Sequence, residues 1–314
     1  MNNQNQSRRI LIFGGFGYLG FNIYSFLKEK NYKVSIGIRA NQIPKNNFED
    51  INFIIIKSEE IAKLAELFKG FEIVIIASGA NSEVCSKNII NAINTNIALK
   101  AKIAHAAIKA EVKRIINLST AHVYGKLSGF INEDCQTTNS HPYGFTNLGG
   151  EQSLKHICFK TGTKIINLRL SNVFGSPKSI NENCWKLFVN NICMQGLLKK
   201  EMIIKNNHLQ ERDFLGIKEF CEIIEKILIC EDDKINFDIY NVGSGFSTTL
   251  EDMARIIKQQ IFIAEGFAPK IIFKSTPKKQ EKLNYSIKRL HNLIQYKQYK
   301  IEHHISELIK TINN

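Results

Sequence analysis

Short, almost wholly apolar runs alternate along the chain with longer segments in which apolar residues recur every three or four positions. The short runs are typical of strands buried on both faces, and the longer segments are typical of helices packed by one face. The predicted strands cover residues 10–13, 33–38, 53–56, 72–77, 114–118 and 164–170. The predicted helices include residues 61–68 and 94–110. Strands that alternate with helices in this way predict an α/β fold with a doubly wound parallel sheet.

A glycine-rich turn joins the first predicted strand to a helical repeat that begins at Phe21. Gly14, Gly17 and Gly20 lie in this turn. Glycine permits a tight bend, a close approach of backbone N–H groups to phosphate, and close packing of helix on strand. The positive end of the helix dipole would then stabilise a pyrophosphate, so this order of elements predicts a dinucleotide site. Its predicted contacts are Gly14, Phe16, Gly17, Tyr18 and Leu19.

Length and composition narrow the classes of protein. With 314 residues, 44% of them hydrophobic, the chain can bury one large core or two modest ones. No apolar run approaches the roughly 20 residues that span a bilayer, and the polar start, MNNQNQSRR, is unlike a signal peptide. The seven cysteines form no C-x-x-C pair, which argues against a disulfide framework. We therefore predict a cytoplasmic protein with no membrane contact and no metal site.

The net charge of +13 raises the question of nucleic-acid binding. Residues 264–314 carry ten Lys and Arg against four Glu, but apolar residues at helical spacing interrupt these charges. No motif of interleaved aromatic and basic residues is present. The excess is therefore interpreted as a solvated basic face, and no nucleic-acid partner is expected.

The residues after the second predicted strand bear on the choice of cofactor. An acidic side chain there would accept hydrogen bonds from the ribose hydroxyls of NAD, whereas a basic one would pair with the 2′-phosphate of NADP. The strand runs into Ile38-Arg39 with no Asp or Glu, and a guanidinium binds phosphate through two hydrogen bonds. Arg39 therefore predicts NADP, with NAD possible, unless it is an ordinary surface arginine.

Two further segments carry hydroxyl side chains, S-T-A-H-V-Y-G at 119–125 and H-P-Y-G-F-T-N at 141–147. With the glycine turn, they resemble the extended short-chain dehydrogenase/reductase superfamily, the NAD(P)-dependent nucleotide-sugar epimerases, dehydratases and ketoreductases. Three later segments resemble it as well: R-L-S-N-V-F-G-S-P at 169–177, E-R-D-F at 211–214 and Y-N-V-G-S-G at 240–245.

The resemblance implies two domains. A Rossmann dinucleotide-binding domain would cover residues 1–177, with residues 217–242 returning to it. A smaller, mixed α/β substrate-binding domain would cover residues 178–314. The implied substrate is a nucleotide-diphosphate sugar, and a homodimer is left open.

The resemblance also assigns roles to individual residues. Tyr143 would be the general acid/base, and the Thr120 hydroxyl would bind the sugar oxygen that changes between alcohol and ketone. Asn147 stands where the superfamily has a lysine that lowers the pKa of the tyrosine and holds the nicotinamide ribose; an amide can hold the ribose but supplies no charge. The further cofactor contacts implied are Ala77, Ser78, Gly79, Asn96, Leu118, Ser171 and Val173, and the substrate contacts implied are His122, Asn172 and Arg212.

Three reactions within the superfamily compete. Sugar 4,6-dehydratases carry Asp-Glu after the catalytic Thr, where this chain has Ala121-His122. Epimerases retain NAD and usually have the ribose-binding acid, which is absent here. The sequence therefore favours an oxidoreductase that uses NADPH to reduce a ketone of a nucleotide-diphosphate sugar, in the synthesis of surface-polysaccharide precursors. Epimerisation with bound NAD is the alternative, and Asn147 keeps a non-catalytic NADP-binding protein as a third hypothesis.

Overall fold

A computed structural model gives the fold of the chain. It describes residues 7–39, 51–138, 141–178, 182–236, 238–279 and 281–313, with the backbone alone at 39, 182 and 183. These described residues form two compact units. The first lies within residues 1–126, 135–169 and 227–240, and the second lies within residues 127–134, 170–226 and 241–314.

The bounds of the elements follow in chain order. The strands are β1 Arg9–Phe13, β2 Lys33–Arg39, β3 Phe53–Ile56, β4 Ile73–Ile76, β5 Arg114–Thr120, β6 Gly129–Ile131, β7 Lys164–Leu170, β8 Asn172–Phe174, β9 Glu201–Ile204, β10 Glu211–Gly216, β11 Ile239–Val242, β12 Ser247–Thr249, β13 Lys270–Phe273 and β14 Leu283–Tyr285. The α-helices are α1 Tyr18–Glu29, α2 Ile61–Phe68, α3 Ser82–Lys87, α4 Ile89–Ile93, α5 Leu99–Lys109, α6 Pro142–Cys158, α7 Phe188–Lys199, α8 Ile217–Ile229, α9 Leu250–Glu265, α10 Lys288–Leu293 and α11 Ile301–Asn313. A π-helical turn covers Asn94–Ala98, and 3-10 turns cover Ala121–Tyr124, Glu182–Lys186 and Asp232–Lys234.

The first unit is built around a seven-stranded sheet in the order β11-β7-β5-β4-β1-β2-β3. β1 pairs in parallel with β2 and with β4, and the pairs β2–β3 and β4–β5 are parallel as well. The doubly wound sheet predicted from the sequence is thereby confirmed. After β3 the chain returns to the other side of β1, so the strand order reverses there. Ligands of such sheets bind beyond the carboxyl ends of the strands at this reversal.

The central strands of this sheet are covered on both faces. Residues 10–13 of β1 and 73–76 of β4 are at most 2% exposed. One face packs against apolar residues of α2, α5 and α6. Burial on both faces explains why these strands are continuous apolar runs rather than alternating ones.

The helix predicted over residues 94–110 differs from the structure at its start, because the regular helix α5 begins only after a π turn. Asn96 is fully buried in this turn. Its Oδ1 accepts a hydrogen bond from the Ala80 N–H at 2.7 Å, and its Nδ2 donates to Thr146 Oγ1 at 3.0 Å. These bonds stabilise a turn that is rare in helices and that no apolar pattern encodes.

The second unit contains three smaller sheets, ordered β12-β10-β8, β13-β9 and β14-β6. Its core includes residues of α7, α9 and α11 and of strands β8, β9 and β10. Phe174, Met202, Phe214, Ile257 and Leu308 of this core are each at most 3% exposed. Across the part of the chain that the structure describes, no helix has the length and apolar character needed to cross a bilayer.

Candidate active site

The glycine turn lies at the carboxyl end of β1. Gly14 has a φ of +84°, and a Cβ atom there would lie 2.6 Å from the backbone nitrogen of Ser78. A Cβ atom on Gly20 would lie 2.7 Å from the carbonyl oxygen of Gly14, so both positions require glycine. Gly17 precedes α1 and gives it no side-chain cap. A helix N-terminus of this kind is a ready site for an anion.

The residues around this turn fit a dinucleotide. Ser78 lies against Gly14, and its hydroxyl is buried without a hydrogen-bond partner among the described residues. Such a hydroxyl costs free energy until it is bonded. The Gly14 N–H donates to the carbonyl of Gly37 at 3.1 Å, which brings the end of β2 to the same turn. The side chain of Arg39, two residues further on, lies outside the described residues.

The other predicted cofactor contacts of this unit differ in exposure. Most are partly exposed near the carboxyl ends of the strands, namely Phe16, Tyr18, Leu19, Ala77 and Leu118, while Gly79 is exposed. Asn96 is instead enclosed by the bonds to Ala80 and Thr146 described above, and its contact with a cofactor stays a prediction.

Tyr143 and Thr120 come together at the carboxyl end of β5. Thr120 ends this strand, and Tyr143 lies in the first turn of α6. Burial raises the pKa of the Tyr143 phenol, and a side-chain hydrogen bond with Thr120 partly offsets that rise. At neutral pH Tyr143 is therefore a neutral phenol, the form that donates a proton.

His122 completes this group. Its Nδ1 lies 3.0 Å from Thr120 Oγ1, and its ring meets the Tyr143 ring edge-on with the centroids 5.6 Å apart. Gly144 makes this approach possible, because a Cβ atom there would lie 2.4 Å from the carbonyl oxygen of His122. His141 caps α6 by accepting a hydrogen bond from the Tyr143 N–H at 3.1 Å. The hydroxyls and imidazole thus form one compact group around the end of β5.

Asn147 is buried, and a lysine from another helix contacts it. The Asn147 Nδ2 donates to the carbonyl of Tyr143 at 2.9 Å, and its Oδ1 accepts from the Nζ of Lys100 in α5 at 3.4 Å. Lys100 is 1% exposed. A Cβ atom on Gly150 would lie 3.0 Å from the Lys100 Cδ, so this glycine leaves room for the lysine chain. An ammonium therefore reaches the helix of Tyr143, although position 147 carries none.

Glu151 is the anion of the same buried region. Its Oε2 accepts from Arg169 Nη2 at 2.8 Å, and its Oε1 accepts from the Ser119 hydroxyl. Glu151 and Arg169 are 2% and 3% exposed. Burial lowers the pKa of Lys100 to about 8, and the attraction of Glu151 works against that fall. These charges couple the end of β5 to α5, α6 and β7.

The predicted residues of the second unit meet on the pair β8–β10. Asn172 is opposite Phe214 in this parallel pair, and its Nδ2 donates to the carbonyl of Asp213 at 2.8 Å. Val173 is buried, and the Ser171 N–H donates to the carbonyl of Val242 at 2.8 Å.

Arg212 lies on the same strand pair, in β10. Its Nη2 donates to Gln210 Oε1 at 3.2 Å. Burial lowers the pKa of Arg212. No ion pair to this guanidinium is found within the described residues, and its contact with a substrate stays a prediction.

A family model agrees with this fold and with the order of these motifs. The model, described as the NAD dependent epimerase/dehydratase family, matches residues 10–243 and thus most of the chain. This chain belongs to that family. The resemblance to the extended short-chain dehydrogenase/reductases is thereby confirmed.

Relatives of this family member catalyse different reactions on nucleotide sugars. A UDP-glucose 4-epimerase of Mycoplasma genitalium is 23% identical over 283 residues, which cover 81% of this chain and 82% of that protein. A UDP-N-acetyl-alpha-D-glucosaminuronate decarboxylase of Bacillus cytotoxicus is 23% identical over 266 residues, 80% of each protein. A solved structure of UDP-glucuronic acid 4-epimerase from Bacillus cereus, in complex with UDP-glucuronic acid and NAD, superposes with a TM-score of 0.79 at 20% identity. It covers 97% of this chain and 99% of that one, which supports the fold.

Lys100 is the residue of this epimerase/dehydratase-family protein that sequence reasoning missed. It follows Asn96 by four residues, and positions four apart lie on one face of a helix. Asn96 contacts Thr146, and Lys100 contacts Asn147. Asn96 and Lys100 therefore contact two consecutive residues of α6. The spacing alone could have placed Lys100 beside Asn96, but not against Asn147.

Replacing Lys100 by methionine should change how stability depends on pH. Lys100 has a pKa of about 8 in the fold against an ordinary 10.5, so between these values the unfolded chain binds more protons. The contribution of Lys100 to the free energy of unfolding therefore rises as pH rises from about 8 to 10.5. Urea unfolding across this range should show that rise in the wild type relative to Lys100→Met.

The exposed Lys109 of the same helix provides the matched control. Lys109→Met should follow the wild-type curve. Parallel curves for the wild type and Lys100→Met would show that folding does not lower the pKa of Lys100.

Proposed function

We propose that this protein is an oxidoreductase that uses NADPH to reduce a ketone of a nucleotide-diphosphate sugar. The group formed by Thr120, His122 and Tyr143 carries the proposal. It offers a neutral phenol as proton donor and a hydroxyl that can hold the ketone oxygen. The two residues after Thr120 are alanine and histidine, so the pair of carboxylates that serves dehydration is missing from these positions.

The bound dinucleotide would supply the hydride, and the chain supplies everything else. The turn at Gly14 and the N-terminus of α1 would hold the pyrophosphate. The Thr120 hydroxyl would bond the ketone oxygen, and Tyr143 would give that oxygen its phenolic proton as the alcohol forms. The Asn147 amide and the Lys100 ammonium would hold the first turn of α6 in place beneath the tyrosine.

Epimerisation with bound NAD is the second candidate. The epimerase names of the Mycoplasma genitalium relative and of the Bacillus cereus structure, which holds NAD, favour it. Both reactions can use the same acid/base pair, so they differ in net consumption of the cofactor.

A panel of nucleotide-diphosphate sugars and their keto derivatives, incubated with deuterium-labelled NADPH, distinguishes the candidates. Reduction would transfer deuterium to the sugar and consume one NADPH for each alcohol formed. Epimerisation would give an isomer with no net change in cofactor. Dinucleotide binding without conversion of any sugar would favour the non-catalytic hypothesis.

Arg39 should set the preference for NADP. We expect calorimetry to show tighter binding of NADP than of NAD, and Arg39→Ala to weaken NADP binding by about 1.5–3 kcal/mol, the worth of a hydrogen bond to a charged group. Binding of NAD should not change. Lys33→Ala, at the exposed opposite end of β2, is the matched control. Equal affinities for the two dinucleotides, or an Arg39→Ala variant with unchanged NADP affinity, would refute the preference.

Arg212 should bind the diphosphate of the sugar nucleotide. Replacement by alanine should weaken binding of a UDP-sugar by at least about tenfold, because a charge-assisted hydrogen bond is lost, and should leave dinucleotide binding unchanged. Arg255→Ala, at an exposed arginine of α9, should change neither affinity. A lower melting temperature with both affinities intact would instead show that Arg212 is structural.

A further inference from the structure

We propose, on the basis of the ketoreductase function above, that His122 relays a proton from solvent to Tyr143 through the Thr120 hydroxyl after each reduction. His122 is therefore a catalytic group in proton return, a role beyond the substrate contact that the sequence implies for it.

A net reductase needs such a return path. Reduction of a ketone adds a hydride to carbon and a proton to oxygen, and the proton leaves Tyr143 as tyrosinate. An epimerase takes that proton back within the same cycle, but a reductase releases it with the product alcohol. Because burial raises the pKa of Tyr143, tyrosinate is a costly state here and must regain a proton before the next turnover.

The Thr120 hydroxyl is placed to pass this proton. It accepts a hydrogen bond from the backbone N–H of His122 at 3.2 Å and lies 3.0 Å from the His122 Nδ1. Its other neighbour is the Tyr143 phenol, whose ring meets the same His122 ring edge-on with the centroids 5.6 Å apart. A hydroxyl has one proton and two lone pairs. Thr120 can therefore receive a proton from the imidazole while it donates its own to the tyrosinate.

His122 connects Thr120 and Tyr143 to water. Thr120 is 5% exposed and Tyr143 is partly buried, whereas His122 is exposed. Imidazole is the side chain best suited to exchange protons near neutral pH. The nearby His141 is less suitable, because its Nδ1 accepts the backbone N–H of Tyr143 as the cap of α6. Lys100 contacts α6 at the Asn147 amide, and that amide donates to the backbone carbonyl of Tyr143 rather than to its phenol.

The steps balance without any transfer of electrons. The His122 imidazolium gives its Nδ1 proton to the Thr120 oxygen, and Thr120 gives its hydroxyl proton to the tyrosinate. Tyr143 is then a phenol and Thr120 a hydroxyl again. The neutral imidazole keeps its Nε2 proton and regains a proton at Nδ1 from a hydronium ion, so that each alcohol formed consumes one proton from solvent. The hydride is supplied by the NADPH of the proposed reaction.

Rapid-mixing kinetics of His122→Gln test the relay. The first turnover uses the proton already on Tyr143, so NADPH oxidation should begin with a burst of one equivalent that is faster than every later turnover. Later turnovers should be slower by about 10²-fold, the lower range for acid/base catalysis. His122→Ala should behave in the same way, and free imidazole in the buffer should restore its steady-state rate. His105→Gln, at an exposed histidine of α5, should match the wild type throughout.

A second measurement needs neither cofactor nor turnover. After a jump to alkaline pH, the ultraviolet absorbance of tyrosinate reports how fast Tyr143 ionises, with Tyr143→Phe as the background. The relay predicts at least about tenfold slower ionisation in His122→Ala than in the wild type. Calorimetric binding of NADPH verifies that each variant is folded.

Several results would overturn the relay. One is a His122→Gln steady state equal to that of the wild type, and another is a first turnover slowed as much as the later ones. Unchanged ionisation of Tyr143 in His122→Ala would have the same meaning. If the wild type only epimerises its substrate, the proposed function fails as well. An unchanged NADPH concentration would identify that outcome and separate it from a failure of the relay alone.

Discussion

Turnover should fall by about 10²- to 10⁴-fold when Tyr143 is replaced by phenylalanine, the usual contribution of a positioned acid/base group. The phenol is the proton donor of the proposed reaction, and its edge-on contact with the His122 ring should persist in phenylalanine. Binding of NADPH should therefore remain as in the wild type. The measurements are kcat on the sugar-nucleotide substrate and the calorimetric dissociation constant of NADPH.

Tyr32→Phe, at a buried tyrosine that directly precedes β2 in the first unit, is the control for loss of a hydroxyl. It should keep the wild-type kcat. A Tyr143→Phe variant with full activity would show that another group donates the proton, and the assignment of Tyr143 would be wrong.

The free energy of unfolding should fall by about 3–5 kcal/mol when Glu151 is replaced by glutamine, the usual cost of removing one partner of a buried ion pair. Arg169 donates to Glu151 through both Nε and Nη2, and Lys100 is held partly by the same carboxylate. The variant would leave two buried cations without their anion. Urea unfolding at neutral pH measures the loss.

Glu83 offers a matched comparison. It pairs with Lys87 one helical turn away, and its side chain is 48% exposed. Because exposed pairs of this kind contribute only about 0.3–0.5 kcal/mol, Glu83→Gln should hardly change stability. If Glu151→Gln cost no more than Glu83→Gln, the buried network would not hold β5, α6 and β7 together.

The sheet of the first unit could be predicted because burial on both faces gives its strands a local signature. Residues 10–13 and 73–76 are continuous apolar runs, and each is closed off on both sides by packing. The glycine turn could be predicted as well, because the φ of Gly14 and the close approach of Ser78 require glycine at that position. Both features depend on short stretches of sequence.

The candidate site could be predicted from the sequence only in part. Thr120 and Tyr143 lie in motifs that end a strand and begin a helix, and the resemblance of these motifs to the superfamily implied their roles at the hydroxyl of the sugar. The contact of Lys100 with Asn147 joins residues 47 positions apart on two helices, and no local pattern specifies it. The π turn at Asn96 was missed for the same reason, because its bonds to Ala80 and Thr146 are tertiary.

Helix α6 has consequences for the order of folding. It contains Gly144, Gly149 and Gly150, and each glycine costs a helix roughly 1 kcal/mol relative to alanine. A Cβ atom at Gly150 would lie 2.3 Å from the carbonyl oxygen of Asn96, so the same glycines that weaken the helix let its neighbours approach. Such a segment gains its helicity from docking rather than from its own propensity. Residues 142–158 should therefore become helical late, after β5 and the turn at Asn96 have formed, and Tyr143 should take its place among the last parts of the unit to fold.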